Sequence, residues 1–202
     1  MERWVPLEVA DCAESPFVQF RRWFDEAAEH VREREAVALV TATPDAHPSA
    51  RMVLLRHVDD ESFGWYTNYD SRKGEELRAN PYAALLWYCE PLGRQIRIEG
   101  GVERMSSAAS DAYFRARPRG HQLGAHASHQ SHEIDSRAVL QAAFNDVTTR
   151  FAGGEVPRPE YWGGYRLTPT RFEFWQHRED RLHDRVSYEP DEERWRRFRQ
   201  SP

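Results

Sequence analysis

Five short apolar segments follow one another between residues 36 and 105 of the chain. They read AVALVTAT, ARMVLLRHV, SFGWYTNY, AALLWYC and RQIRIEGGVERM. β-Branched and aromatic residues are frequent in them, and turn-forming pairs such as Pro44-Asp45 and Asp59-Asp60 lie between them, so each segment predicts a β-strand. Because most of these strands follow too closely for the helical crossovers of a parallel sheet, their order predicts an antiparallel meander or barrel.

Helices and further strands surround these five segments. Apolar spacing, capping residues and prolines predict helices at about residues 15–31, 70–80, 106–116 and 136–151, with a loop between the last two. Three more strands are predicted near the carboxyl end, in YWGGYRLT, RFEFWQ and RVSYE, with RWRRFRQ behind them. The chain is therefore expected to be mainly β, in the α+β class, with helices at the periphery.

Length and charge narrow the classes of function. A chain of 202 residues is expected to form one domain, 1–202, in which residues 1–14 form an extended arm. Its formal net charge of -5 argues against a nucleic-acid-binding protein, which needs a broad basic face. The arginines are nevertheless clustered, and such clusters suit a small anionic ligand.

Cysteine content and hydropathy predict the compartment. Cys12 and Cys89 are the only cysteines, and their spacing is typical of neither a metal site nor a disulfide scaffold. No apolar segment is long enough to span a bilayer, and the amino terminus lacks the apolar core of a signal peptide. We therefore expect a cytoplasmic protein without membrane contact.

The chain has no glycine-rich phosphate loop, so a phosphate group would have to be held by side chains. Arg51 and Arg56 lie in one predicted strand, but a spacing of five places them on opposite faces unless the strand bends. Tyr113 and Arg117 are four residues apart and share one face of a predicted helix. Ordinary polar residues in contact with water explain Arg51 and Arg56 better than an anion site does, whereas the two interpretations explain Tyr113 and Arg117 equally well.

A third candidate lies where a predicted strand runs into a predicted helix. The strand ends with Tyr66 and Thr67, and the helix start carries Arg72 and Lys73. Backbone N–H groups at a helix amino terminus attract anions, whereas cations there oppose the helix dipole. The two cations therefore indicate a bound anion, although a solvated helix start explains them too.

The segment RLHDR near the carboxyl end is the fourth candidate. If it is extended, Arg181, His183 and Arg185 lie on one face of a strand. Two guanidinium groups beside an imidazole repel one another unless an anion or a carboxylate lies among them. A charged edge strand is the alternative reading.

Four histidines lie close together in the sequence GHQLGAHASHQSHE, at His121, His126, His129 and His132. Their spacing is irregular and matches no metal-binding motif. A polar loop is the better interpretation, and no metal site is expected.

These segments, in this order, resemble the pyridoxamine/pyridoxine 5′-phosphate oxidase family. The most specific part is FEFWQHREDRLHDR, which is similar to the family's carboxyl-terminal pattern of an aromatic-flanked Trp followed by Arg, an aliphatic residue, His, a polar residue and Arg. RMVLLR, YTNYDSRKG, GRQIRIEG, YFRARPRGHQLGAHAS and YWGGYRL match as well. The resemblance covers nearly all of the chain from about Ser15 onward.

The resemblance implies an antiparallel, Greek-key type split β-barrel that forms a homodimer, with FMN bound at the subunit interface. Family members oxidise an amine or alcohol at the 4′ position of a phosphorylated pyridine ring by hydride transfer to FMN, and oxygen is then reduced to hydrogen peroxide. By motif position, the residues expected to contact FMN are Arg51, Met52, Val53, Leu54, Leu55, Arg56, Tyr66, Thr67, Arg72, Lys73, Gln95, Gln130, Ser131, Trp175 and Arg185. Those expected to contact the substrate are Arg56, Tyr113, Arg117, His121, Arg181 and His183, of which Arg181 and His183 are the catalytic candidates.

Three positions depart from the family pattern. Arg56 stands where Lys is common, His121 stands where Ser is common, and His132-Glu133 follows Gln130-Ser131 in place of a basic residue. Such changes suit a paralogue that acts on another ring, as the related flavin oxidases of phenazine biosynthesis act on a dihydrophenazine carboxylate. A protein that binds FMN or pyridoxal phosphate without turnover is a further alternative. Retention of Arg56, Tyr113 and Arg117 favours the phosphorylated substrate.

Overall fold

The computed structural model describes residues 5–202, and residues 1–4 of the predicted amino-terminal arm lie outside this range. Within the described chain, nine strands form one sheet. They are β1 (Ala36–Ala42), β2 (Pro48–Leu54), β3 (His57–Val58), β4 (Phe63–Asn68), β5 (Tyr82–Cys89), β6 (Arg94–Arg104), β7 (Trp162–Gln176), β8 (Asp184–Asp191) and β9 (Arg194–Arg199). All of their pairings are antiparallel, which confirms the prediction from the close spacing of the apolar segments.

The longest strand, β7, makes the sheet branch and curl. β6 pairs along most of one edge of β7, whereas the other edge pairs first with β4 and then with β8. The order of strands is therefore β2-β1-β5-β6-β7-β4-β3, with β8 and β9 attached through β7. The result is a split β-barrel, which confirms the predicted fold class.

Two predicted strand boundaries are wrong. YWGGYRLT and RFEFWQ form one strand, β7, which continues past Pro169. The strand accommodates the proline because its register with β6 shifts there, between Glu99 and Gly100. A Cβ atom at position 100 would lie 2.1 Å from the carbonyl oxygen of Thr168, so only glycine permits this approach. ARMVLLRHV, in contrast, is divided into β2 and β3 on either side of Leu55 and its neighbour.

The described chain contains five α-helices: α1 (Pro16–Glu26), α2 (Arg72–Ala79), α3 (Ser107–Ala116), α4 (Arg119–Ala127) and α5 (Arg137–Arg150). The predicted start of the first helix at Ser15-Pro16 is confirmed. The loop predicted between the last two helices is wrong in part, because it contains α4, which starts directly after Pro118. None of the helices in residues 5–202 is long and apolar enough to cross a membrane.

The barrel core is aromatic, and α1 closes one side of it. The ring of Phe20 lies edge-on to Phe63 of β4 with 4.8 Å between centroids, and Trp23 meets Phe174 of β7 at 5.3 Å. All four side chains are buried. Burial of each contributes about 2 kcal/mol or more to folding, so α1 is fixed firmly on the sheet.

A second apolar cluster fixes the helices beside β4. It joins α3, α4 and α5 to the start of β7 and consists of Phe114, Leu123, Ala127, Val147, Val156 and Trp162. Because α3 and α4 are held in this way, their exposed faces stand opposite β2 and β4 and leave a space between them.

The described part of the amino-terminal segment, residues 5–14, lies against the last two strands. The backbone N–H of Leu7 donates to the carboxylate of Asp184 (3.0 Å), and its carbonyl oxygen accepts from Arg199 (3.0 Å). A turn over residues 9–12 interrupts the segment, so the predicted extended arm is only partly extended.

Candidate active site

A cavity of about 900 Å³ lies between β2, β4, α2, α3 and α4. Most of the predicted site residues line it: Arg51, Met52, Val53, Leu54, Arg56, Tyr66, Thr67, Arg72, Lys73, Tyr113, Arg117, His121, Gln130 and Ser131. The other predicted residues do not line it: Leu55, Gln95, Trp175, Arg181, His183 and Arg185. Within one chain, the predicted site residues therefore fall into two sets: those that line the cavity and those that lie elsewhere.

The break between β2 and β3 brings both arginines of this segment to the cavity. β2 ends at Leu54, Leu55 turns into the core with 4% exposure, and the backbone N–H of Arg56 donates to Gly64 of β4 (2.8 Å). The alternation that would place Arg51 and Arg56 on opposite faces ends with the strand. The strand therefore bends, which was the condition for Arg51 and Arg56 to reach the same site.

Arg51 and Arg72 converge on a buried glutamate. The carboxylate of Glu76 lies 3.2 Å from Nη2 of Arg51 and 2.9 Å from Nε of Arg72. Burial opposes its ionisation, but hydrogen bonds, chiefly from Ser49 and Thr41 and then from the two arginines, lower the pKa of Glu76 to about 2. The glutamate is therefore ionised at every physiological pH and holds both guanidinium groups at the cavity wall.

The ammonium group of Lys73 lies buried beside these arginines. It donates to three neutral acceptors: Gln130 Oε1 (2.8 Å), Thr67 Oγ1 (3.2 Å) and Ser71 Oγ (3.2 Å). Burial, followed by the positive charge of Arg51, lowers the pKa of Lys73 to about 8. A buried cation whose hydrogen-bond partners are all neutral gains most from an anionic ligand.

Aromatic rings form another wall of the cavity. Tyr66 and Tyr113 are stacked 3.7 Å apart with 4° between their planes, and Trp162 continues the stack 5.6 Å from Tyr66. The guanidinium of Arg117 lies 4.5 Å from the Trp162 ring centroid, and its Nη1 atom is buried with no hydrogen-bond partner among the described residues. This flat apolar wall with an unsatisfied guanidinium suits a planar ring that carries an anionic group.

The cavity side of α4 lacks large side chains at two positions. Gly120 and Gly124 are four residues apart, so they lie on one face of the helix, and a Cβ atom at either would meet nothing within 4 Å. His121 lines the cavity in the first turn of the same helix. The two glycines leave room for a ligand to approach the helix backbone.

The predicted residues outside the cavity form a group on neighbouring strands. Gln95 of β6 pairs with Trp175 of β7, which in turn pairs with Arg185 of β8, so the three side chains lie side by side on one face. Buried Glu173 accepts hydrogen bonds from Arg185 (2.5 Å) and Arg97 (2.9 Å). This group repeats the arrangement at the cavity, in which a buried glutamate fixes two arginines.

The extended reading of RLHDR is wrong. Asp180 and Arg181 have φ angles of 55° and 60°, which belong to a turn, and β8 begins only at Asp184. Arg181, His183 and Arg185 therefore do not share one strand face; Arg185 lies in β8 and Arg181 in the preceding turn. The turn contains no glycine, and its local signal in the sequence is Asp180, since aspartate adopts positive φ more readily than most residues.

His183 lies over the indole of Trp175, with 4.5 Å between ring centroids. Its Nδ1 atom accepts a hydrogen bond from the backbone N–H of Arg178 (3.1 Å). Burial, followed by the neighbouring His177 and Arg181, lowers the pKa of His183. The imidazole is therefore neutral at pH 7, and its proton is on Nε2, because Nδ1 acts as the acceptor.

Several residues at these two places were missed from the sequence: Glu76, Trp162, Gly120, Gly124 and Glu173. Glu76 had a detectable signal, since it stands four residues after Arg72 in a predicted helix. The glycines had none, because the segment that contains them was read as a loop. Phe172 and Phe174 flank Glu173 in the strand. Alternation of side chains predicts that the two phenylalanines are buried, but it does not predict that Glu173 is buried as well.

The donor set at the cavity fits a phosphorylated flavin. Lys73 is buried with neutral partners, Arg117 has a buried nitrogen without a partner, and the aromatic wall is flat. Arginine, lysine and hydroxyl groups hold a phosphate without a glycine loop. A phosphate group at this wall would meet the side chains of Arg51, Arg72, Lys73 and Thr67.

Comparisons with known proteins agree with this geometry. Residues 24–151 match the family model described as pyridoxamine 5′-phosphate oxidase, and residues 162–202 match the pyridoxine 5′-phosphate oxidase C-terminal dimerisation region. The chain is 53% identical over 188 residues to pyridoxine/pyridoxamine 5′-phosphate oxidase 1 of Ralstonia nicotianae, covering 92% of this chain and 88% of that protein. It is 52% identical over 188 residues to the corresponding oxidase of Rubrobacter xylanophilus, covering 93% and 87%.

Two solved structures share the fold. PhzG from Burkholderia lata 383, in complex with tetrahydrophenazine-1-carboxylic acid, superposes with a TM-score of 0.91 at 34% identity and 98% coverage of both chains. An FMN-binding protein from Nostoc punctiforme, related to pyridoxamine 5′-phosphate oxidase, has a TM-score of 0.72 at 16% identity, covering 93% of this chain and 97% of that one.

The split barrel and its cationic, aromatic cavity thus define an FMN-dependent oxidoreductase, as the sequence resemblance implied. Within that class, the chain belongs to the pyridoxamine 5′-phosphate oxidase family. The predicted cofactor, FMN, is confirmed with the family.

Proposed function

We propose that the protein oxidises pyridoxamine 5′-phosphate and pyridoxine 5′-phosphate to pyridoxal 5′-phosphate. One observation supports this most: the cavity contains a cationic group at Arg51, Arg72 and Lys73, and a separate cation at Arg117 on the aromatic wall. FMN and the substrate each carry one phosphate, so two separate cationic places are what this pair of ligands requires. The names of the relatives that are about half identical support the same substrate.

The proposed roles follow this division. In the cavity, the residues assigned to FMN are Arg51, Met52, Val53, Leu54, Tyr66, Thr67, Arg72, Lys73, Gln130 and Ser131, with Leu55 behind them and Arg56 shared with the substrate. Those assigned to the substrate are Tyr113, Arg117 and His121. From the separate group, Gln95, Trp175 and Arg185 are assigned to FMN, and Arg181 and His183 to the substrate and its reaction.

The chemistry divides between cofactor and protein. FMN, when bound, takes up two electrons from the substrate and passes them to oxygen, which gives hydrogen peroxide. Arg117 and Tyr113 orient the phosphorylated ring. The Nε2–H of His183 donates a hydrogen bond to the 4′ amine or alcohol group of the substrate, and Arg181 contributes positive charge beside it.

The complete site requires a second copy of the chain. Trp175, Arg181 and Arg185 belong to residues 162–202, which match the family's dimerisation region, and these three residues do not line the cavity of their own chain. At the cavity, Met52 and Leu54 of β2 leave 64% and 41% of their surface exposed, as an edge covered by a partner would. We propose a homodimer in which each cavity is completed by the carboxyl-terminal group of the other subunit.

Mixing two inactive variants tests the dimer. Arg117→Ala impairs the cavity, and His183→Ala impairs the other group. When the two variants are unfolded and refolded together, about half of the dimers are mixed, and each has one intact site, so about a quarter of wild-type activity is expected. No gain in activity above the separate variants would show that each chain builds its site alone.

Anaerobic reduction of the bound flavin tests the reaction. Pyridoxamine or pyridoxine 5′-phosphate should bleach the 450 nm flavin band without oxygen, on the order of once per second. Pyridoxal formation and hydrogen peroxide are then measured in air. A flavin that only a dihydrophenazine acid reduces would contradict the assignment.

The dihydrophenazine carboxylate remains the second candidate substrate. The observation in its favour is the 0.91 TM-score with PhzG, together with Arg56 and His121 in the cavity wall. A carboxylate uses the same guanidinium groups as a phosphate. A flavin-binding protein without turnover is the third candidate, and a flavin that no ring compound reduces would favour it.

For the compartment, we propose the cytoplasm. Cys12 and Cys89 are both buried free thiols, which suits a reducing environment.

A further inference from the structure

Helix α2 carries a buried carboxylate beside the cationic group of the cavity. Only 4% of the Glu76 side chain is exposed, whereas Glu75, one residue earlier on the same helix, is exposed. A buried carboxylate loses its hydration, so hydrogen bonds and opposite charges from its neighbours must compensate for the loss.

Both oxygens of this carboxylate have partners. Oε1 accepts from Nε of Arg72 (2.9 Å), and Oε2 accepts from Nη2 of Arg51 (3.2 Å) and from Oγ of Ser49 (2.6 Å). The hydroxyl of Thr41 also donates to Oε2. Because these four partners belong to β1, β2 and α2, the carboxylate joins three elements of the cavity wall.

The contacts fix the direction in which the arginines point. Arg51 is 80% covered; its Nη1 atom donates to the Leu39 carbonyl oxygen (3.2 Å) and to Thr41 Oγ1 (2.5 Å), and its Nη2 atom donates to Ser49 Oγ as well as to Glu76. Arg72 is 62% exposed, so Glu76 supplies the charged contact that holds it against the wall. Long side chains held in this way lose less freedom when a ligand binds.

The charges add up to a definite value. Arg51, Arg72 and Lys73 bring three positive charges to one place, and Glu76 brings one negative charge. Two positive charges remain, which equals the charge of a phosphate monoester dianion. Without the carboxylate the three cations would repel one another and separate.

We propose that Glu76 is a positioning residue for the flavin phosphate: it aligns the guanidinium groups of Arg51 and Arg72 and sets the charge of the phosphate site. The inference rests on the proposed function, since it requires FMN at this wall. Glu76 itself would not bind the phosphate, because an ionised carboxylate repels a phosphate anion.

Two explanations of Glu76 predict opposite results. If the carboxylate acted only as a nearby negative charge, its removal would strengthen the binding of a phosphate dianion. If it positions the arginines, its removal weakens that binding. Riboflavin, which is FMN without the phosphate, separates either effect from a general loss of structure.

The test compares FMN and riboflavin affinity in the full chain freed of flavin, measured by quenching of flavin fluorescence. For Glu76→Gln, we expect FMN to bind about tenfold more weakly and riboflavin to change by less than about twofold. Glu75→Gln is the matched control, since it removes the same charge from the exposed neighbouring position, and it should leave both affinities as in the wild type.

The outcomes separate the two proposals. Unchanged or tighter FMN binding by Glu76→Gln, or equal losses for both flavins, would overturn the positioning role while the oxidase assignment stands. A wild type that binds FMN no better than riboflavin would overturn both. If Glu76→Gln does not fold, Glu76→Asp keeps the charge but shortens the reach, and it must show the same selective loss of FMN affinity; an unchanged ratio would reject the proposal.

Discussion

The guanidinium of Arg117 lies over the indole of Trp162, with 4.5 Å between Cζ and the ring centroid. Burial lowers the pKa of Arg117, yet the side chain stays charged, and its Nη1 atom has no partner among the described residues. The arginine is therefore held in place by an aromatic ring and keeps part of its hydrogen-bonding capacity for a ligand.

Replacement of this arginine should impair the phosphorylated substrate selectively. We expect Arg117→Ala to lower kcat/KM for pyridoxamine 5′-phosphate by about 10- to 100-fold, because a charge-assisted hydrogen bond to the phosphate is lost. Steady-state kinetics with the phosphate ester and with pyridoxamine itself provide the measurement. Equal losses for both compounds would show that Arg117 supports the fold rather than the phosphate.

Substitutions in the carboxyl-terminal group of residues should give two different phenotypes. Arg185→Ala should weaken FMN binding by about tenfold, because Arg185 lies beside Trp175 on the assigned flavin face. His183→Ala and Arg181→Ala should keep FMN and slow flavin reduction by about 100-fold, as the loss of a catalytic hydrogen bond does. Flavin titration and anaerobic stopped-flow measurements distinguish the two groups, and the reverse pattern would show that the assignment is wrong.

FMN affinity should depend on pH through Lys73. The pKa of this ammonium is lowered to about 8, so the free protein loses the charge as pH rises through 8. Since the charged form attracts the phosphate, FMN affinity should fall between about pH 7.5 and 9. Lys73→Met should bind FMN more weakly at pH 7 and show a flat profile over this range; a profile unchanged by the substitution would point to another group.

The side of α4 that carries Gly120 and Gly124 should accept larger side chains, but a large side chain there should weaken ligand binding. A Cβ atom at Gly124 meets nothing within 4 Å, so Gly124→Ala should raise stability by up to about 1 kcal/mol through helix propensity. Gly124→Leu should fold as well but fill the cavity and lower substrate affinity. Thermal unfolding and KM are the two measurements, and a Leu variant with wild-type KM would show that the ligand does not approach this helix.

The sequence predicted the sheet better than the site. Strands were found because each apolar segment ends at a turn-forming pair, and the start of α1 was found because Ser15 precedes Pro16. α4 was missed because its two glycines and two histidines make its sequence look like a loop, whereas the packing that stabilises it against α5 comes from tertiary structure.

The site was predicted as two sets of residues, but its geometry was not. Period-two reasoning placed Arg51 opposite Arg56 unless the strand bent, and it placed Arg181 beside Arg185. In the first case the backbone leaves the strand at Leu55, between the two arginines. In the second case the turn at Asp180 and Arg181 keeps Arg181 outside β8, which begins only at Asp184. The contacts of the buried carboxylate of Glu76 could not be predicted from the sequence, because its partners lie on three separate elements, β1, β2 and α2.

Leu7 and Arg199 are in contact, so the first and last segments of the described chain lie side by side. Joining two such segments and cutting the chain elsewhere has little influence on a barrel whose contacts stay the same. A short linker from Pro202 to Val5 and a new opening at the exposed Gly153-Gly154 turn would then give a permuted chain with the same neighbours throughout. Such a permutant would carry its free ends after α5 and before β7, and would leave the strands and helices of both parts of the site uninterrupted.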